Sequence, residues 1–313
     1  MLKYLKVNKE TGIEDGTDSD FNWLLINQDS FESSLEILKK YRLPDDIFLG
    51  SDSLGEIARI EKLKDTKLSN PLSLVFFNLS NSFTIIENRI EPISFVLSDD
   101  LLITYVGKNS TLIDDLLRDE HQNLVNFEQI ILSTISRIYK HFIAELKKIK
   151  KEIDFLDDES RKTTGKKELF KLADIDRKII FIDHTLRDQN DVLNQLWEMS
   201  TFTDNIAHSS FIFDIQLQQA QALKLVTIYH ALIDTLGSLF ESMISNNLNH
   251  LMKYLESAAL VLTVPTLIAG IWGMNTGGLP FKEQDTGSYI LFFVMVLLTV
   301  VTAVFLTKKN YFK

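Results

Sequence analysis

From Met1 to about Asn109 the chain alternates short apolar runs with turn-forming residues. "NWLLIN", "PLSLVFFNLS", "SFTIIENR" and "PISFVLSDDLLITYVG" are rich in β-branched and aromatic residues and are separated by Asp, Asn, Ser and Gly. That pattern predicts strands and turns. "SSLEILKKY" has helical spacing, so residues 1–110 are expected to form an α/β domain. Near Ser110 the texture changes: glycine becomes rare, and Pro265 is the only proline before Asn275. "FEQIILSTISRIYKHFIAELKKIKKEIDFLDDE" sets Ile130, Ile131, Ile138, Phe142, Leu146, Ile149, Ile153 and Leu156 at helical spacing. "SRKTTGKKE" is a turn signal, and "LFKLADIDRKIIFIDHTLRDQNDVLNQLWEM" resumes the same period. Residues 111–204 therefore predict a long helical hairpin.

A third helical run opens near Asn205 and meets no strong stop before Gly273. At about 1.5 Å per residue such a helix is on the order of 100 Å long. That exceeds both a globular domain and a bilayer, so the helix is expected to run from one into the other. Residues 205–275 read as a stalk that continues into a first transmembrane helix at 255–274. Ser257 to Met274 carries no charge and has about the minimum length a membrane needs. "YILFFVMVLLTVVTAVFLT", residues 289–307, is a stronger second span. Residues 276–288 then form an outer loop and 308–313 a basic tail. Lys253 precedes the first span, and Lys308, Lys309 and Lys313 follow the second, while the loop sets Lys282 against Glu283 and Asp285. The excess of Lys at the ends predicts both termini in the cytoplasm and the loop outside. The fold class expected is an α+β membrane protein with two C-terminal spans.

Composition narrows the picture further. A net charge of −10 over 313 residues disfavours nucleic acid, whose binders neutralise phosphates with Lys and Arg. The absence of cysteine excludes disulfides and thiolate metal sites. Mean hydropathy near zero, +0.02, fits a large water-soluble body with a small membrane part. "MLKYLKVNKETGIEDG" lacks the apolar core of a signal peptide, so the body is expected in the cytoplasm. An enzyme reading finds little support. His121, His141, His184, His208, His230 and His250 show no metal-ligand pair at three or four spacing. "GTDSDFNW" lacks the Lys-Ser/Thr of a phosphate loop. "DFLDDE" reads most simply as a solvated hairpin tip.

One face of the first span is chemically distinct. Asn249, Met252, Leu255, Glu256, Ala259, Thr263, Thr266 and Gly270 follow one another by one to four residues and fall near one helical face. Leu260, Leu262, Val264, Leu267 and Ile271 are expected to oppose them. A polar stripe on a spanning helix must face protein or water. Two spans cannot enclose an aqueous path, so the stripe predicts either an oligomer with first spans around an axis or tight helix packing. The break at Gly273-Met274-Asn275 favours the former, because backbone leaves a helix at membrane depth where it lines a cavity, and pores handle cations with rings of oxygens.

"SNNLNHLMKYLESAALVLTVPTLIAGIWGMN" resembles the stalk end and first span of the CorA-type divalent cation transporters, whose signature is Gly-Met-Asn after an aromatic, here Trp272. Asn249, Met252 and Lys253 upstream, Pro265 mid-span, one further span and the basic tail belong to the same likeness, as does "KKIKKEIDFLDDE" in the hairpin. The likeness is good from about Ser110 onward and rests on pattern alone before that. It implies a funnel-shaped homopentamer in the cytoplasmic membrane that moves Mg2+ passively, with cytoplasmic Mg2+ between subunits favouring closure. By position, Asn275 would form the outer ion ring, shaped by Gly273 and Met274. Thr266 and Thr263 would line the pore, Leu255 and Met252 the constriction, and Asn249 a polar ring below it. Asp214 matches a stalk aspartate that binds regulatory Mg2+. Its partner would fall near Asn78 to Ser82, where there is no acid, leaving Asp99 or Asp100 to substitute. A pore-mouth acid falls on Ser238, with Asp234 or Glu241 nearby, and Glu256 stands where the family commonly has Thr. The loop "TGGLPFKEQDTG" is similar to that of the ZntB branch, which implies proton-coupled Zn2+ transport as the alternative to Mg2+. A membrane-anchored sensor or scaffold is the third reading.

Overall fold

A computed structural model of the chain describes residues 2–28, 31–48, 57–80, 85–107, 110–120, 124–160, 165–203, 206, 209–279 and 286–308. It divides into two compact units, Met1–Thr235 and Leu236–Lys313, with the cut inside the longest helix.

The first unit is built on a seven-stranded mixed sheet. Its strands are β1 Leu2–Asn8, β2 Gly12–Asp15, β3 Trp23–Asn27, β4 Arg59–Lys62, β5 Leu72–Leu79, β6 Ile90–Leu97 and β7 Leu102–Val106. They lie in the order β2-β1-β3-β7-β6-β5-β4, and only the β3–β7 pair among them is parallel. "WLLIN", "LSLVFFNL" and "LITYV" read as continuous apolar runs because both faces of the central strands are covered. On one face Leu24, Ile26, Val96, Ile103 and Tyr105 pack with Ile37 and Leu38 of α1, Phe31–Tyr41. On the other, β5 meets the hairpin helices α4, Phe127–Ser160, and α5, Lys166–Trp197. The turn residue Gly16 has no room for a side chain: a Cβ there would stand 2.9 Å from the Asp20 carbonyl oxygen.

Trp23 and Thr104 anchor the α4 side of the sheet. Both are 0 % exposed, and Trp23 Nε1–H donates to Thr104 Oγ1 at 2.9 Å. Thr104→Val keeps the shape but strands a buried indole N–H, which costs about 1–3 kcal/mol. We expect the melting temperature to fall by about 2–4 °C for each kcal/mol lost in a unit of this size. Thermal unfolding of the full-length variant checks this, and an unchanged midpoint would refute it.

The eight hairpin residues whose spacing predicted an inward face, Ile130 through Leu156, are all buried. At about 2 kcal/mol each they contribute on the order of 15 kcal/mol before the entropy of ordering is subtracted. One segment corrects the sequence reading. "SFTIIENR" predicted a strand, but Ile86–Arg89 forms α2, one helical turn, and Ser82 to Thr84 lie outside the described residues. The segment joins the antiparallel strands β5 and β6, so it must reverse direction. Ser80 N–H donates to the Arg89 carbonyl at 2.7 Å and closes the reversal. α3, Leu112–Glu120, and α6, Ser200–Thr203, complete the helices that lie before α7, Ser209–Trp272. Asn205, where the third run was expected to open, lies outside the described residues. α7 is joined to the hairpin by Ser136 Oγ–Gln218 Oε1 at 3.1 Å and Gln219 Nε2–Asn190 Oδ1 at 2.6 Å.

The second unit holds the end of α7 and α8, Gly287–Lys308. Both helices are long and apolar enough to cross a membrane, with mean hydropathy 1.6 and 2.8 in their most apolar windows.

Candidate pore-lining face and helix end

From Asn249 onward the least exposed residues of α7 are Ser257, Ala258, Val261, Val264, Pro265, Ile268 and Trp272. At 100° per residue they centre on one side of the helix. On α8 the covered residues are Gly287, Leu291, Met295, Thr299, Thr302, Ala303 and Leu306, again at helical spacing. These are the only two helices described in this unit, so the two covered stripes face each other.

The same projection sets Asn249, Met252, Leu255, Glu256, Ala259, Thr263, Thr266 and Gly270 within about 60° of a line directly opposite α8. All eight are exposed, Met252 at 56 % and Leu255 at 61 %. The sequence reading of what opposes them needs correcting. Leu260, Leu262, Leu267 and Ile271 are exposed and flank the stripe, whereas Val264 belongs with the residues covered by α8 on the far side. The stripe is thus the face that the chain leaves unused, bordered by apolar residues suited to lipid or to a neighbouring copy.

The polar groups along it have particular dispositions. Thr263 Oγ1 and Thr266 Oγ1 donate to the carbonyls of Ala259 and Leu262, each at 2.7 Å. Donation inward satisfies each hydroxyl proton and leaves the oxygen lone pairs to accept from outside the helix. Glu256 and Lys253 are exposed and have no hydrogen-bond or ion-pair partner among the described residues, so the i,i+3 pairing open to them is not made.

The helix ends where glycine interrupts the apolar run. Gly273 N–H reaches the Ala269 carbonyl at 2.9 Å, and Met274 N–H makes a tightened bond to Ile271 at 3.2 Å. A Cβ at Gly273 would stand 3.1 Å from the Ala269 oxygen. Asn275 follows in irregular, exposed backbone, and the last helical carbonyls lie beside it without helical successors to bond them. Gly278 has φ of 89°, a conformation open chiefly to glycine. Pro280 to Asp285 of the loop, and Lys309 to Lys313 of the tail, lie outside the described residues.

The other residues singled out are not among the eight of the stripe. Asp214 is exposed in the first turns of α7. Asn78, where the resemblance would put an acid, is 4 % exposed and accepts from His141 Nδ1–H at 2.9 Å. Asp99 and Asp100 are exposed on the β6–β7 turn, Asp99 accepting from Asn70 Nδ2 at 2.9 Å. They line a cleft of about 990 Å³ with Asn126 and Glu128 at the start of α4. Ser238, Asp234 and Glu241 are exposed on α7. Among the described residues no group of three or more His, Asp or Glu is disposed to hold a metal ion.

The His141–Asn78 contact carries a pH prediction. Burial is the main cause of a pKa below 6.5 for His141, with the Arg137 charge adding to it and Asp115 opposing. A base with a depressed folded pKa binds fewer protons folded than unfolded, so stability falls as pH drops below about 6.5 until the folded value is passed. We expect His141→Gln to lose this slope. Thermal midpoints at pH 7.5 and 5.5 check it, and equal slopes in the two proteins would refute it.

The two units together define a class. It is a membrane protein in which an α/β domain and a helical hairpin share their long final helix with a pair of apolar helices, one bearing a polar stripe. The chain belongs to the CorA-like Mg2+ transporter protein family, whose model matches residues 18–309. It is 22 % identical over 233 residues to the Cobalt/magnesium transport protein CorA of Thermotoga maritima, an alignment spanning 72 % of this chain and 66 % of that protein. Its fold is similar to the complete structure of the CorA magnesium transporter from Methanocaldococcus jannaschii. The TM-score is 0.78 at 16 % identity, covering 98 % of this chain and 97 % of that one. It is also similar to the ZntB cytoplasmic domain from Vibrio parahaemolyticus, at TM-score 0.61 and 12 % identity over 78 % of this chain and 96 % of that one.

Proposed function

We propose that the chain is one subunit of a funnel-shaped homopentamer that passes Mg2+ down its electrochemical gradient across the cytoplasmic membrane, along an axis lined by the stripe of α7. The observation that carries this is the disposition of the stripe. Eight consecutive face positions, six of them polar or small, look away from α8 and are left exposed among the described residues, an arrangement that lipid does not tolerate around a carboxylate and an amide. Symmetric copies turn those faces toward one another and put water between them.

The chemistry suits a hydrated ion. Mg2+ gives up its waters reluctantly, so amide and hydroxyl oxygens that accept from its hydration shell can hold it without stripping it. Asn275 and the open carbonyls at the helix end form the outer ring, and Thr266 and Thr263 continue the row of acceptors inward. Met252 and Leu255 form an apolar collar, which gates by excluding water when narrow. Asn249 forms a polar ring below it. With Asn78 turned onto His141, a regulatory Mg2+ bound at Asp214 would need another partner, Asp99 or Asp100 being the acids available.

The test has two arms. Crosslinking of the full-length protein in membranes should stop at five subunits, and proteoliposomes should take up Mg2+ at a rate indifferent to a pH gradient. Crosslinking that ends at a monomer or dimer, with no flux, would replace the channel by a membrane-anchored sensor or scaffold. A second reading is favoured by Gly277-Gly278-Leu279 after the helix end, which is similar to the ZntB loop. Zn2+ uptake driven by a proton gradient would establish that reading instead.

A further inference from the structure

We infer that Glu256 forms a ring of carboxylates that binds the divalent cation at the inner end of the first span, a second ion site in series with the outer amide ring. The inference rests on the channel reading above. Every other polar group on the stripe is neutral: Asn249, Thr263 and Thr266 supply amides and hydroxyls only. Glu256 is the one formal charge among the eight stripe positions, and it follows directly on Leu255 of the apolar collar. Lys253 lies about 60° round the helix, toward the flank, and makes no ion pair with it among the described residues. His250 projects toward the opposite side of the helix by the same geometry. Among the described residues no cation therefore compensates the carboxylate, and burying it uncompensated against lipid would be costly.

Symmetry multiplies the effect. Five carboxylates around one axis sit beside a narrow low-dielectric wall, and a site lined by one sign of charge focuses the field and raises the local cation concentration. Rings of Asp or Glu are a recurrent way of drawing cations into a pore. A divalent ion that arrives hydrated from the outer ring finds there, just before the collar, anionic oxygens able to accept from its waters, which amides alone do more weakly. The ring thus sets how dilute the ion can be and still occupy the pore just outside the collar, whereas the amide ring at Asn275 admits it.

The experiment is Mg2+ flux through full-length protein in proteoliposomes, measured against Mg2+ concentration, with and without a pH gradient, for wild type, Glu256→Gln, Glu256→Asp and Asn275→Ala. At low Mg2+, Glu256→Gln should lower the rate by about tenfold, the lower end of what focusing by a single-sign site provides, and the deficit should shrink as Mg2+ rises. Glu256→Asp should restore most of the rate. Equal concentration dependence of Glu256→Gln and wild type would overturn the ring. A variant that loses only acceleration by a pH gradient would also overturn it, making Glu256 a proton carrier. Wild type that carries no Mg2+ would overturn the channel reading itself, a separate outcome from either. Size-exclusion profiles of all four proteins distinguish a changed ion site from failed assembly.

Discussion

Asn275→Ala is expected to lower Mg2+ uptake at sub-saturating Mg2+ by more than about a hundredfold, with the pentamer intact. The effect is large because the substitution removes one amide from every subunit at once. A hydrogen bond of this kind contributes about 1 kcal/mol net, so five acting on one hydrated ion amount to roughly 5 kcal/mol, over about a thousandfold in occupancy. Part of that is recovered by carbonyls at the end of α7, which the substitution leaves in place. The helix should not change, since Asn275 lies beyond the last helical residue, Trp272, and is exposed. Proteoliposome flux with parallel crosslinking measures both quantities. An Asn275→Ala pentamer that conducts like wild type would sink the role given to the Gly-Met-Asn terminus.

A second variant separates chemistry from shape at that terminus. Gly273→Ala adds one carbon 3.1 Å from the Ala269 carbonyl oxygen, so the neighbour must give by a few tenths of an ångström. We expect a smaller loss of flux than for Asn275→Ala, because the ring of amides is displaced rather than deleted. The same flux assay decides the order, and a larger loss for Gly273→Ala would mean that backbone position outweighs the amide.

How much of this was legible in the sequence depends on whether a feature is periodic. The hairpin helices show their inward faces because Ile130 through Leu156 recur with the helical period, and the second span shows itself by uninterrupted apolar length. The edge strands are harder to see. β4 is "RIEK", charged at three of its four positions, as suits a strand whose outer edge must not invite another chain. β1, which lies inside the edge strand β2, interleaves Lys3 and Lys6 with its apolar residues, and Lys6 is taken by Asp20 at 2.6 Å, so neither β4 nor β1 was read as a strand. The membership of the polar stripe could be read from residue type and spacing. Which side α8 would cover could not, because α8 is apolar all round and its sequence favours no face. The contacts of Asn78 and Arg89 were invisible for a different reason: they join residues 63 and 56 positions apart, and nothing local marks either partner.

That last pairing carries the largest effect expected on stability. Arg89 Nη1 and Nη2 donate to Glu145 Oε1 and Oε2 at 2.6 and 3.0 Å, its Nε donates to the Ser80 carbonyl at 3.0 Å, and Lys148 adds a bond to Oε2 at 3.2 Å. The Arg89 and Glu145 side chains are only 12 % and 7 % exposed. The pair ties the reversal between β5 and β6 to the middle of α4. Removing one partner leaves the other buried and uncompensated, so Arg89→Ala should destabilise the first unit by about 3–5 kcal/mol. In a unit of this size that lowers the melting temperature by roughly 6–20 °C. Replacing both, Arg89→Met with Glu145→Leu, should recover much of the loss, because a buried ion pair gains little over well-packed apolar residues once its desolvation is counted. The dependence on pH has a definite sign. Burial alone would raise the Glu145 pKa, but its bonds to Arg89 and Lys148 and their charges outweigh burial and hold it below the usual 4.5. A depressed carboxyl stabilises the fold above its unfolded value, and that contribution is lost as pH falls from about 4.5 through the folded value. Arg89→Ala should therefore differ most from wild type near pH 7 and converge on it toward pH 3. Thermal unfolding of the full-length proteins in detergent decides the matter. If the single and double variants melt together, the pair acts through packing of the arginine stem rather than through its charge.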